Sequence, residues 1–116
     1  MRQYRIFLNV VDSISHGALE FLPEYKGAGL DRSAIEINDK YIGIGYALSR
    51  PEELEFIKKV ARAEGVILDP VYTGKAMYGL YNELQPGGNI PKGGKILFIH
   101  TGGLFGLFPV SGQFVW

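Results

Sequence analysis

Gly65-Val66-Ile67-Leu68-Asp69-Pro70-Val71-Tyr72-Thr73-Gly74-Lys75-Ala76-Met77 is the stretch whose reading decides the fold. Val66-Ile67-Leu68 is a short apolar run, and Asp69-Pro70 opens a turn. Helical spacing begins near Thr73, with Ala76, Met77, Leu80 and Leu84 on one side. Pro86-Gly87-Gly88 ends that helix. Upstream, residues 50–64 predict the clearest helix of the chain. Ser49 followed by Glu52 reads as a capping box, and Pro51 sits in the first turn, where its missing N–H costs nothing. Leu54, Ile57, Val60 and Ala61 make one apolar stripe. Gly65 supplies a left-handed stop.

Downstream, Lys95-Ile96-Leu97-Phe98-Ile99-His100 reads as a buried strand, because it lacks polar alternation. Thr101-Gly102-Gly103 follows it directly, and Leu104–Phe108 can start a last helix. Helix, short run, helix, strand and glycine turn in that order is an α/β pattern. Ligands in such folds sit at the carboxyl ends of strands, which is where Thr101-Gly102-Gly103 falls. By pattern alone such a turn is plain geometry more often than a phosphate cradle. Toward the N-terminus, the β-branched and aromatic residues 4–11 predict a strand. Residues 12–22 have weak helical spacing through Ile14, Ala18, Leu19 and Leu22, ended by Pro23 and by the glycines at 27 and 29. Residues 34–48 begin with strand-like alternation, which Gly43 and Gly45 turn into a loop or irregular strand.

Composition sets the outer bounds. The chain has 116 residues, enough for one domain with a modest core. Hydrophobic residues make up 47%, which is globular. Twelve basic residues balance twelve acidic ones with no basic stripe, so nucleic acid is not an expected partner. No apolar run reaches the roughly 18–20 residues that span a bilayer, and the N-terminus lacks the cleavage site of a signal peptide. There is no cysteine, which excludes thiolate chemistry and fits a cytoplasmic location. His16 and His100 lack ligand spacing and read as structural, so no metal site is expected. The sixteen glycines are about twice the usual share of roughly 7%, and they punctuate elements rather than repeat.

Three segments together carry a resemblance: Gly65–Met77, Ile96–Gly103 and, more weakly, Tyr41-Ile42-Gly43-Ile44-Gly45-Tyr46. Their order and spacing resemble the C-terminal third of the 1-aminocyclopropane-1-carboxylate deaminase / D-cysteine desulfhydrase family of pyridoxal-phosphate enzymes. The match runs from about Asp39 to Gly103, while residues 1–30 match poorly and the tail after Phe108 is unlike the family. The resemblance implies an α/β fold like that of the tryptophan synthase β subunit, with a mostly parallel sheet incomplete in this chain. It implies that Tyr72 stands beside the substrate's reacting carbons and that Tyr46 lines the same pocket. Thr101 is implied as partner of the cofactor's pyridine nitrogen, with Thr73 and Gly102 also on the cofactor side. The ring-opening deaminases carry a glutamate at the position of Thr73 and a leucine at that of Thr101. A threonine hydroxyl gives the ring nitrogen only a neutral hydrogen bond, hence a shallower electron sink. The resemblance therefore implies β-elimination from a cysteine-like substrate, giving pyruvate, ammonia and sulfide. Tyrosines of lowered pKa would serve as general acid or base.

The family's cofactor-holding lysine lies early in the chain, in a Gly-Asn-Lys context. None of the seven lysines (26, 40, 58, 59, 75, 92 and 95) has that context, and Lys75 matches a different family lysine. The phosphate-binding glycine loop is also missing from the matching region. A pyridine contact alone is worth about 1 kcal/mol, too little to retain a cofactor. The expectation is a single C-terminal fragment over 1–116 that is inactive alone. Its expected partners are a small amino-acid substrate and either a missing N-terminal part or a second copy of the chain. The competing readings are a ring-opening deaminase fragment, a non-catalytic binding or regulatory α/β domain, and a small structural α/β protein.

Overall fold

The computed structural model describes residues 2–25 and 31–114. They fall into two compact units, Met1–Asn38 and Asp39–Trp116.

The first unit is built on one long helix, α1 (Arg2–Phe21). This corrects the expected strand at 4–11: that segment and the weakly helical 12–22 form one helix. Phe7, Val11, Ile14, Ala18 and Phe21 recur every three to four residues, and this period overrides the β-branched composition of the first turns. A helix also satisfies its own backbone groups without a neighbouring strand. It ends ahead of Pro23, since the residue before a proline is pushed out of the helical region. The glycines at 27 and 29 lie outside the described residues. Arg32, in the short 3-10 turn Arg32–Ala34, donates to Asn9 Oδ1 at 2.8 Å and pairs with Asp12 at 3.6 Å.

The second unit holds α2 (Pro51–Glu64), α3 (Thr73–Glu83) and a closing 3-10 segment, Leu104–Gln113. The α2 cap is shifted by one residue from the expected Ser49/Glu52 pair. Arg50 is the capping position, and its N–H donates to Glu53 Oε2 at 2.8 Å. Ser49 instead donates its hydroxyl to the Pro70 carbonyl at 3.1 Å, tying the start of α2 to the turn before α3. Gly65 closes α2 in the left-handed region, as its position after the apolar stripe predicts. Leu54, Ile57, Leu68 and Phe114 form the core, with Val60, Met77, Phe98, Leu107 and Val110 packed on it. Phe56 stacks against Tyr78 and Tyr81, at centroid distances of 5.4 and 5.1 Å, and joins α2 to α3.

The expected sheet is not formed among the described residues. The only bridge there is an isolated antiparallel pair, Gly45 with Leu48, in the segment where alternation predicts a strand. Residues 66–68 and 95–100 lie outside helices and outside any strand ladder. Leu68 is fully buried and Phe98 packs on the core. Leu97 and Ile99 are 86% and 71% exposed, against the expectation of a buried strand. An apolar run buries both faces only when sheet neighbours and covering helices are present. No helix among the described residues is long and apolar enough to cross a membrane.

The α2–α3 contact depends on Gly74. A β carbon there would lie 2.6 Å from both the Asp69 carbonyl and Ile57 Cδ1. Gly74→Ala is therefore expected to destabilise the unit by about 1–3 kcal/mol through overpacking, even though alanine is the better helix former. The midpoint of denaturant unfolding measures this, and an unchanged or raised midpoint would show that the close approach is not required.

Candidate functional site

The turn between the apolar run 66–68 and α3 is organised by Asp69, which is 1% exposed. Its Oδ1 accepts from the Val71 and Tyr72 N–H groups at 2.8 and 2.7 Å. Its Oδ2 accepts from the Thr73 N–H at 2.8 Å and the Thr73 hydroxyl at 2.5 Å. The Asp69 N–H donates back to Thr73 Oγ1 at 2.9 Å, and the Asp69 carbonyl accepts from Gly74 N–H at 2.8 Å. One carboxylate thus satisfies N–H groups that the first turn of α3 leaves without helical partners. Burial pushes the Asp69 carboxyl up, but the bonds from Thr73, Tyr72 and Val71 outweigh it and hold the group below the ordinary carboxylate value. The helix N-terminus favours the same charged form.

This cap aims Tyr72. The residue sits at the head of α3 with its side chain 59% exposed. Its hydroxyl lies 3.0 Å from that of Tyr46, and the two rings meet edge to face at 6.1 Å. Two phenols 26 positions apart in sequence thus share a hydrogen bond on an exposed surface. The expected lowering of tyrosine pKa does not occur at Tyr72. The bond to Tyr46, then desolvation, then the charges of Tyr46 and Asp69 raise it above the ordinary phenol value. Lys75 is bonded to the backbone of the loop that carries Tyr46. Its ammonium donates to the Ile42 and Gly45 carbonyls at 3.0 and 2.9 Å.

The glycine turn reaches the same cap. Gly103 has φ +95°, and a β carbon there would lie 2.8 Å from Asp69 Oδ2. Gly102, at φ +94°, has open space where a side chain would stand. His100 fixes the approach. Its Nε2 donates to the Ile67 carbonyl at 2.9 Å, and its Nδ1 accepts from the Gly102 N–H at 3.0 Å. A carbonyl can only accept and an N–H can only donate, so these two bonds define the neutral Nε2–H tautomer. His100 is thus a spacer that ties the turn to the 66–68 run. Thr101, between His100 and Gly102, is exposed.

Of the residues singled out in the sequence, Tyr46 and Tyr72 are brought into direct contact. The turn carrying Thr101 and Gly102 is joined to Tyr72 through Asp69. Thr73 is placed differently: it is 2% exposed and its hydroxyl both donates to and accepts from Asp69. Its contribution to the exposed surface therefore runs through the cap that orients Tyr72. Ser49, Lys75 and His100 also tie together the segments around this surface, and no such role is predicted for them from the sequence. For Asp69, which opens the turn before α3, a helix cap is the plain reading of the sequence, and its bonds to the N–H groups of residues 71–73 are of that kind. For the others no local pattern exists, because their partners are backbone carbonyls more than twenty residues away.

Residues 15–102 match the family model described as pyridoxal-phosphate dependent enzyme. That match begins upstream of the Asp39–Gly103 region that carries the motifs. Over 66 residues, 57% of the chain, it is 64% identical to the bifunctional D-cysteine desulfhydrase/1-aminocyclopropane-1-carboxylate deaminase, mitochondrial, of Arabidopsis thaliana. Over 109 residues, 94% of the chain, it is 41% identical to a Thermotoga maritima protein provisionally named 1-aminocyclopropane-1-carboxylate deaminase. The aligned regions span 16% and 32% of those two proteins' lengths.

Proposed function

Because the chain belongs to the family of pyridoxal-phosphate-dependent enzymes, we propose that it forms one wall of the active site of a lyase acting on D-cysteine or a close β-substituted amino acid. The observation that carries this reading is the exposed Tyr46–Tyr72 hydroxyl pair at 3.0 Å, held at the head of α3 by the Asp69 cap. The relatives' names include both D-cysteine desulfhydrase and 1-aminocyclopropane-1-carboxylate deaminase, which supports weighing these two reactions against each other.

The residues fit pyridoxal phosphate on one side. Thr101 offers an exposed hydroxyl beside Gly102, where no side chain obstructs the approach of a ring. Covalent attachment is not offered by Lys75, whose ammonium is committed to two carbonyls. In this reading the attachment lysine and the phosphate cradle belong to polypeptide of the whole protein beyond this chain, which alone is inactive. The extended segments 66–68 and 95–100 then join a mostly parallel sheet with that polypeptide, covering Leu97 and Ile99.

The cofactor, when bound, withdraws electrons from the substrate's α carbon. Thr101 would hydrogen-bond the ring nitrogen without supplying a charge, which would favour prompt loss of a β substituent over ring opening. A phenol carries its proton at neutral pH, and the bond shared with Tyr46 and the desolvation of Tyr72 favour that form further, so its Oη has a proton to give. Tyr72 Oη delivers a proton to the leaving sulfur as the Cβ–S bond breaks, and Tyr46 Oη orients that hydroxyl. The Cα proton would pass to a base on the polypeptide that holds the cofactor, the Cα–H electron pair would form the Cα–Cβ double bond as sulfur leaves, and one water would release ammonia, so that D-cysteine and water give sulfide, pyruvate and ammonia.

Thr101→Ala in the whole protein tests the cofactor side. Loss of one neutral hydrogen bond, about 0.5–1.5 kcal/mol, should weaken cofactor affinity by about 2- to 13-fold with folding unchanged. Unchanged cofactor affinity and unchanged turnover would remove Thr101 from the site.

A further inference from the structure

We propose that Lys75 is a positioning residue that clamps the loop carrying Tyr46, and so sets the distance between the two phenols. Tyr72 heads α3, and Lys75 lies one turn further along the same helix. Lys75 is 7% exposed, a costly place for an ammonium unless it is hydrogen-bonded. Its partners are the carbonyls of Ile42 and Gly45, the latter immediately before Tyr46. One helix therefore carries both one phenol and the anchor of the other.

The loop needs such an anchor. Gly43 and Ala47 have φ of +75° and +56°, and alanine in the left-handed region is disfavoured. The loop's internal support is the single Gly45–Leu48 bridge. The fit is close: a β carbon at Gly43 would lie 2.9 Å from Lys75 Nζ and 3.1 Å from Glu53 Oε1. Tyr46 itself is 78% exposed, so packing does not fix it; the carbonyl clamp does. A lysine doing only structural work would stabilise the unit without changing how the phenols meet.

The proposal rests on the reading of Tyr46 and Tyr72 as a functional pair, and the test separates the two. With 13Cζ-labelled tyrosine in the 116-residue chain at pH 7, the Tyr72 resonance reports its hydrogen bond. Tyr46→Phe defines the uncoupled position of that resonance. Lys75→Met, which keeps the aliphatic stem, should move Tyr72 to the same position. Gly43→Ala, which disturbs the loop from the other side, should do likewise. If Lys75→Met does not fold, Gly43→Ala decides. A folded variant in which Tyr72 keeps its wild-type resonance would overturn the clamp. In the whole enzyme, Lys75→Met should lower kcat by about 10- to 100-fold with little change in KM. Tyr46→Phe added to it should then cost nothing further, since both remove the same interaction. Additive losses would also overturn the clamp. If Tyr46→Phe leaves turnover intact while the resonance shift follows Lys75, the clamp stands and the functional reading of the pair fails.

Discussion

Tyr72→Phe in the whole enzyme is expected to lower kcat by about 10²–10⁴-fold, the range for loss of a positioned proton donor. Phenylalanine keeps the ring and its edge-to-face contact with Tyr46, so folding and cofactor content should be unchanged. The pH dependence gives a second reading of the same group. In the proposed role Tyr72 works in its protonated form, so activity should fall as pH rises through its raised pKa. The hydrogen bond shared with Tyr46 is the largest cause of that rise. Tyr46→Phe should therefore move the alkaline limb of the profile to lower pH. A pH–rate profile and single-substitution kinetics measure both effects. A Tyr72→Phe enzyme within a few-fold of wild type would show that the hydroxyl takes no part in proton transfer.

Asp69→Ala is expected to cost about 3–5 kcal/mol of stability, among the largest effects of a single change in this chain. It leaves the N–H groups of Val71, Tyr72 and Thr73 and the Thr73 hydroxyl without their common acceptor at a buried turn. The acid side of the stability curve carries the same signature. The folded-state pKa of Asp69 lies below its unfolded value of about 3.9. Its contribution is therefore present above that unfolded value and is lost as pH falls toward the folded one. Asp69→Asn keeps the shape but removes the titration, so its stability should fall less steeply below about pH 4. Denaturant melts at several pH values read both quantities. Parallel acid limbs for wild type and Asp69→Asn would contradict the capping role.

The features legible in the sequence were those written in local pattern. Residues 51–64 announced a helix through Pro51, the Leu54–Ile57–Ala61 stripe and Gly65, and the helix is there. The start of α3 at Thr73 followed from the Asp69-Pro70 turn. The motif residues also marked the surface where Tyr46 and Tyr72 meet, although only the folded chain shows a 3.0 Å contact between them. What stayed illegible depended on distant partners. Residues 4–11 have strand composition but helical period, and period decided the outcome. Residues 95–100 have the composition of a buried strand, but burial needs covering layers on both faces, and Leu97 and Ile99 are left largely exposed. Lys75 was noted only for what it is not. Its clamp on the carbonyls at 42 and 45 is a tertiary fact without sequence pattern. The expected lowering of tyrosine pKa is not found at Tyr72, whose hydroxyl shares its hydrogen bond with a second phenol, a tertiary contact that raises it.

Reaction choice tests the central proposal most directly. The whole protein carrying this region, loaded with pyridoxal phosphate, should be assayed for kcat/KM on D-cysteine and on 1-aminocyclopropane-1-carboxylate under the same conditions. Sulfide and pyruvate released from D-cysteine with the larger kcat/KM is the expected result, because in the proposed site Thr101 would give the ring nitrogen a neutral hydrogen bond and Tyr72 Oη would protonate the leaving sulfur. A larger kcat/KM for the cyclopropane substrate would contradict it and make ring opening the activity of this site.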